Sequence, residues 1–208
     1  MDILSSIKIH EIYVNDLLQL SDISDKLNLS GDEIEKEKNQ YQELNKFIKS
    51  NGHDIDNLLD ASIYGEISIS GVYKLNSELK TGKVFYDVGS GNGKLVLQMS
   101  LISNFDKYVG IEISKIRHLY ALEINKSLSL DVTFINDDVL NVDLSDADFV
   151  FINDIMFDDK LTNSIVDRIP SGCYFTSAYE NKNKFIKTIY LSVSWMSQEI
   201  PYNIYLKD

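Results

Sequence analysis

A single cysteine, Cys173, stands in 208 residues, so no disulfide can brace the chain from within. No stretch approaches the roughly 20 consecutive apolar residues of a membrane-spanning helix. Residues 1–30 carry neither a basic leader region nor a long apolar run. These absences point to an intracellular protein of a reducing compartment, nucleus or cytoplasm, with no membrane partner. Positive charge is also scarce: 20 Lys and Arg face 32 Asp and Glu, a net charge of −12. That balance opposes strong direct binding to DNA phosphates and favours cationic partners. The three histidines, His10, His53 and His118, are scattered, and with one cysteine they form no metal-ligand cluster. No G-x-x-x-x-G-K-[ST] phosphate loop is present, which argues against ATP.

What the chain does have is a change of texture. Residues 1–60 are polar with helical periodicity and read as an N-terminal helical lobe. One helix is expected over about Ile7 to Leu20. A second follows Ser30-Gly31-Asp32-Glu33, which has the form of a capping box, and runs until Asn51-Gly52 stops it. After Gly71, short runs rich in Val, Ile, Phe and Tyr alternate with helical segments, as in a parallel sheet with crossovers. Strands are expected near 83–88, 107–112, 131–136, 147–153, 172–177, 186–193 and 200–206, and helices near 93–103, 114–128 and 158–168. The last two strands lie close in sequence and can form an antiparallel hairpin at the end of the sheet. The fold class is therefore α/β, a Rossmann-like, mostly parallel seven-stranded sheet, with a lobe at 1–60 and a binding domain at 61–208.

The strongest local signal is Val84-Phe85-Tyr86-Asp87-Val88-Gly89-Ser90-Gly91-Asn92-Gly93, running into helical Lys94-Leu95-Val96-Leu97-Gln98-Met99. A strand, a tight glycine turn and a helix start let a ligand rest directly on backbone. At the end of the next strand stands Glu112, the place that in doubly wound folds receives ribose hydroxyls. The third strand ends in Asn136-Asp137-Asp138 and the fourth in Asn153-Asp154, so Gly89–Gly93, Glu112, Asp138 and Asp154 should share one crevice at the carboxyl edge. Asp137 fits better as an ordinary turn residue. The glycines read G-x-G-x-G rather than the dinucleotide pattern G-x-G-x-x-G, which counts against NAD. S-adenosylmethionine (SAM) has no phosphate to hold, and its sulfonium suits an acidic site.

Four segments together resemble one family, the histone lysine methyltransferases that lack a SET domain, known as the disruptor-of-telomeric-silencing family. Ile63-Tyr64-Gly65-Glu66-Ile67-Ser68 resembles its V-Y-G-E-x-S, and Asp87–Gln98 resembles its D-L-G-S-G-x-G-x-x-V-L-Q. Ile152-Asn153-Asp154-Ile155-Met156-Phe157 resembles V-N-N-F-A-F, and Ser192-Val193-Ser194-Trp195 with Tyr202 resembles S-V-S-W and a following tyrosine. The resemblance implies a class I methyltransferase fold and SAM as cofactor, held by Glu66, Asp87, Gly89, Ser90, Gly91, Gly93, Glu112 and Asp138. It implies that Tyr64 lies in a loop closing over SAM, and that a lysine of a histone or other basic protein is the acceptor. On this reading Asn153 and Asp154 orient the amine, Phe157 and Trp195 wall its channel, and Tyr202 completes that end. The chain departs from the pattern at Asp154, where the family has a second asparagine, and at Asn203, where it has a second tyrosine. A nucleobase or other non-histone N-methyltransferase and a catalytically silent SAM-binding partner protein remain as alternatives.

Overall fold

The computed structural model describes residues 65–79 and 82–208. The expected N-terminal lobe, its two helices and Tyr64 lie outside the described residues.

Strands β1 (Val84–Val88), β2 (Lys107–Ile111), β3 (Thr133–Ile135), β4 (Phe149–Ile152), β5 (Tyr174–Ser177), β6 (Lys184–Leu191) and β7 (Ile200–Leu206) form one sheet in the order β3-β2-β1-β4-β5-β7-β6. The first five pair in parallel, whereas β7 runs antiparallel to both β5 and β6. The expected hairpin is thus present, but it folds back so that β7 enters the sheet beside β5 and β6 becomes the edge. The core explains this choice: β7 buries Ile200, Tyr202, Ile204 and Tyr205, whereas β6 leaves Phe185 and Tyr190 exposed.

β1 and β4 are buried along their whole length, and apolar apart from Asp87 and the Tyr86 hydroxyl in β1, because helices or loops cover both faces of a central parallel strand. Side chains alternate between the two cores: Phe85 points to one, stacked on Phe149 with ring centroids 5.7 Å apart, while Val84, Tyr86 and Val88 point to the other. A fully buried ring such as Phe85 contributes about 1.5–3 kcal/mol by leaving water.

The crossover helices are α2 (Lys94–Ile102), α3 (Lys115–Ser127) and α4 (Asp159–Val166), close to the expected ranges. Ser114 caps α3 by accepting a hydrogen bond from the Arg117 backbone, and Asp158 caps α4 by accepting from Leu161. A further helix, α1 (Ile69–Glu78), was not expected from the sequence. Gly71 and β-branched or aromatic neighbours make its local propensity poor. It forms because Ser68 caps it and because Val72 and Leu75, one turn apart, bury fully. Gly71 is required there: a Cβ would stand 2.5 Å from the Ser192 carbonyl oxygen.

Strand order reverses between β1 and β4, with β2 and β3 to one side and β4, β5, β7 and β6 to the other. The loops after β1 and β4 therefore diverge at the carboxyl edge and open a crevice between them.

Candidate active site

The loop after β1 turns on three glycines in the left-handed region, Gly89, Gly91 and Gly93, with φ of 73°, 55° and 79°. The Gly89 and Ser90 backbone N–H groups both donate to the Ile111 carbonyl at 2.9 Å, which ties the loop to the end of β2. Gly93 serves close packing, since a Cβ would lie 2.6 Å from the Phe134 ring. Gly89 faces more open space, where a Cβ would meet only Phe157 Cζ at 3.6 Å.

Glu112 is buried just past β2, and its carboxylate accepts from the Gly91 backbone at 2.7 Å and from the Ser114 backbone at 2.8 Å. It joins the glycine loop to the cap of α3. Asp87, at the fourth position of β1, is also buried. Burial and then the nearby Glu112 charge push its carboxyl up to about 8, against a smaller downward pull from the Val96 backbone. Asp138 stands at the end of β3, capping a short 3-10 turn over Val139–Asn141 by accepting from the Leu140 backbone at 2.9 Å. Asp137 accepts from the Asp138 backbone and the Asn141 side chain, as a turn residue does.

The segment Gly65–Ser68 lies beside Ser192–Trp195. Glu66 and Ser194 exchange two hydrogen bonds, the Glu66 N–H to Ser194 Oγ at 3.0 Å and the Ser194 N–H to the Glu66 carbonyl at 2.9 Å. Ile67 and Val193 form an antiparallel bridge, and the Ser68 N–H donates to the Ser192 carbonyl at 2.9 Å. The Trp195 ring covers Gly65 so closely that a Cβ would lie 2.3 Å from it. The Glu66 carboxylate then pairs with Lys94, the first residue of α2, at 2.9 Å.

On the other side of the crevice, Asn153 Oδ1 accepts from the buried Tyr202 hydroxyl at 2.8 Å. Asp154 is wholly buried, and its two carboxylate oxygens accept from Ser177 Oγ at 2.5 Å and from the Ala178 backbone at 2.7 Å. Burial raises its carboxyl above the ordinary range, and these hydrogen bonds pull it part of the way back. Phe157 is half-buried and Trp195 is 39% exposed. Asn203 accepts from Thr188 Oγ1 at 2.8 Å.

Residues 57–177 match the family model of the histone methylation protein DOT1. The chain belongs to the DOT1 family. A DOT1-family relative from Debaryomyces hansenii, named as an H3 lysine-79-specific histone-lysine N-methyltransferase, is 27% identical over 184 residues, covering 69% of this chain and 16% of that protein. One of the same name from Eremothecium gossypii is 33% identical over 129 residues, covering 53% of this chain and 22% of that protein. The chain thus spans less than a quarter of the length of these relatives. A SAM-dependent methyltransferase from Aquifex aeolicus is 15% identical, with a TM-score of 0.49 over 65% of this chain and 89% of that one.

Within this DOT1-family site, Asp87, the glycine loop and Glu112 converge at the end of β1 and Glu66 joins the start of α2 through Lys94, while Asn153, Asp154 and Tyr202 gather after β4. The loop has the features of a ligand cradle: Ser90 Oγ is buried without a hydrogen-bond partner among the described residues, and Gly89 leaves room that a side chain would fill. The sequence reading missed Lys94, Ser177 and Tyr179. Lys94 carried a signal, because a lysine opening a helix opposes the helix dipole. Ser177 and Tyr179 carried none, since they reach the site only through the β4–β5 neighbourhood.

Proposed function

We propose that this DOT1-family chain is a SAM-dependent protein-lysine N-methyltransferase whose acceptor is a histone or another basic protein. The observation that supports this best is the pairing of Gly65–Ser68 with Ser192–Trp195 beside the glycine loop. These are the two segments whose resemblance to lysine methyltransferases is most specific, and they meet at the crevice although they lie far apart in the chain. The charge of −12 supports a cationic protein as partner and opposes unaided binding to DNA. A histone acceptor implies work in the nucleus.

SAM supplies a methyl group activated on a sulfonium sulfur. The chain's residues bind and align. Gly89–Gly93 support the cofactor on backbone, Glu112 takes ribose hydroxyls, Asp138 the adenine, and Asp87 with Glu66 the α-ammonium. Ser90 Oγ is a further hydrogen-bonding group in that cradle. The acceptor amine must arrive uncharged and in line with the sulfonium, so the gain comes from alignment and exclusion of water. Asn153, held by Tyr202, orients the amine, and Phe157 and Trp195 wall its approach. Asp154 acts as a positioning residue, because it is wholly buried where it accepts from Ser177 and Ala178.

The test is transfer from tritiated SAM to free core histones, nucleosomes and nucleic acid, with mass spectrometry of tryptic peptides to locate the methyl group. Labelled lysine in histones is the expected result. Labelled adenine or cytosine with unlabelled protein would replace this reading by a nucleobase methyltransferase.

A further inference from the structure

The acceptor side carries an aromatic residue to which no role has been given. Tyr179 follows β5, two residues beyond Ser177, and is 44% exposed. It is nevertheless held at several points. Its hydroxyl donates to the Ile155 carbonyl at 2.8 Å, and its N–H donates to Ser177 Oγ at 3.1 Å. Its own carbonyl accepts from the Tyr205 hydroxyl at 3.2 Å and, in a longer contact, from Asn203 Nδ2 at 3.5 Å.

Pinning a side chain costs rotamer entropy, which burial of apolar surface normally offsets. A ring that remains close to half exposed gains little of that offset. It is a rigid platform, placed where the loop Asn153–Phe157 meets the end of β5. Two carboxylates act on it, Asp154 and Asp159, and with burial as the larger cause they raise its hydroxyl above the ordinary tyrosine range. A π face is itself electronegative, so ring and carboxylates both attract a cation.

A lysine travels through water as an ammonium and must reach the loop after β4 before it reacts. We propose that Tyr179 is an acceptor-binding residue, a cation-attracting platform that selects for a protonated amine on its approach to the Asn153–Phe157 loop. The proposal rests on the lysine-methyltransferase reading. At 203, where the family resemblance has a tyrosine, Asn203 instead contacts the backbone of Tyr179, so the aromatic on this side comes from the loop after β5 rather than from β7.

Two variants separate ring from hydroxyl. Tyr179→Phe keeps the π face and removes the bond to Ile155, whereas Tyr179→Leu keeps bulk and loses both. Each is compared with wild type for KM and kcat on free core histones with tritiated SAM, and for calorimetric affinity for S-adenosylhomocysteine. Tyr179→Leu should raise the acceptor KM about 3- to 30-fold, the worth of one cation–π contact. Tyr179→Phe should change it less than about twofold, and affinity for S-adenosylhomocysteine should stay at the wild-type value in both. An unchanged acceptor KM in Tyr179→Leu, or equal effects of the two variants, would overturn the proposal and leave Tyr179 a structural clamp. Wild-type protein that binds S-adenosylhomocysteine but labels no histone would bring down the lysine reading, and this proposal with it; an active wild type with an indifferent Tyr179→Leu sinks the proposal alone.

Discussion

Glu66 and Lys94 form an ion pair of 2.9 Å with side chains only 12% and 6% exposed, joining the segment before the sheet to the first turn of the helix that follows the glycine loop. Lys94 is the only buried lysine among the described residues, and it opens a helix with no acidic residue in its first turn. Both placements are unfavourable for a lone cation. Breaking the pair from one side should therefore be costly: Glu66→Gln or Lys94→Met is expected to lower stability by about 3–5 kcal/mol in urea unfolding. The double variant Glu66→Gln/Lys94→Met should recover much of that loss, since it leaves no buried charge unpaired. If the two single losses simply add, the pair is not coupled and this account of it fails.

Asp87 makes both stability and cofactor binding depend on pH. Its folded pKa, about 8, lies above the ordinary carboxyl value, so between roughly pH 4 and 8 the folded chain holds a proton that the unfolded chain releases. The stability this supplies is complete below about pH 4 and is lost as pH rises to 8. Binding runs the other way. An α-ammonium favours the carboxylate, so a ligand carrying one must displace the proton below pH 8. Affinity for S-adenosylhomocysteine should rise with pH by at most about tenfold per unit between 6 and 8, with proton release seen as a buffer-dependent calorimetric heat. Asp87→Asn should flatten the profile.

Glu112 has two tasks. It accepts from the backbones of Gly91 and Ser114, and it is assigned to the ribose. Glu112→Ala is expected to weaken S-adenosylhomocysteine binding on the order of 10- to 100-fold or more, and to lower stability by about 1–3 kcal/mol because two buried N–H groups lose their acceptor. Glu112→Gln retains one oxygen and should fall between. Affinity unchanged in Glu112→Ala would remove the residue from the site.

Asp154 is expected to matter for transfer more than for cofactor binding. Its carboxylate holds Ser177 and Ala178 against the loop that presents Asn153 and Phe157. Asp154→Ala should reduce kcat far more than it reduces affinity for S-adenosylhomocysteine. Asp154→Asn, which can still accept from one partner while the Ser177 hydroxyl turns to accept from the amide, should restore part of kcat. Equal losses of kcat and affinity would instead move Asp154 to the cofactor side.

Much of this molecule is determined by the sequence alone, because the relevant signals are local. The apolar runs of β1 and β4, the caps Ser114 and Asp158, and the three glycines that require positive φ each act within a few residues, so strands, helices and the loop appear within a few positions of where periodicity puts them. Glu112 was legible for the same reason, standing at the end of a strand whose place in a doubly wound sheet is regular. Tertiary structure alone decided the rest. That β7 enters the sheet between β5 and β6 follows from which strand has the apolar side chains to bury on that side, a comparison no local window makes. Helix α1 forms against its own weak propensity because Val72 and Leu75 find a core and Gly71 finds the Ser192 backbone. The acid at position 154 is plain in the sequence, but its partners are not: the fold surrounds it with Ser177 and Ala178, and it sets Tyr179 on the carbonyl next door. Direction along a strand can be read from alternation, but the partner that meets a side chain is fixed by strand order, and strand order is a property of the whole core.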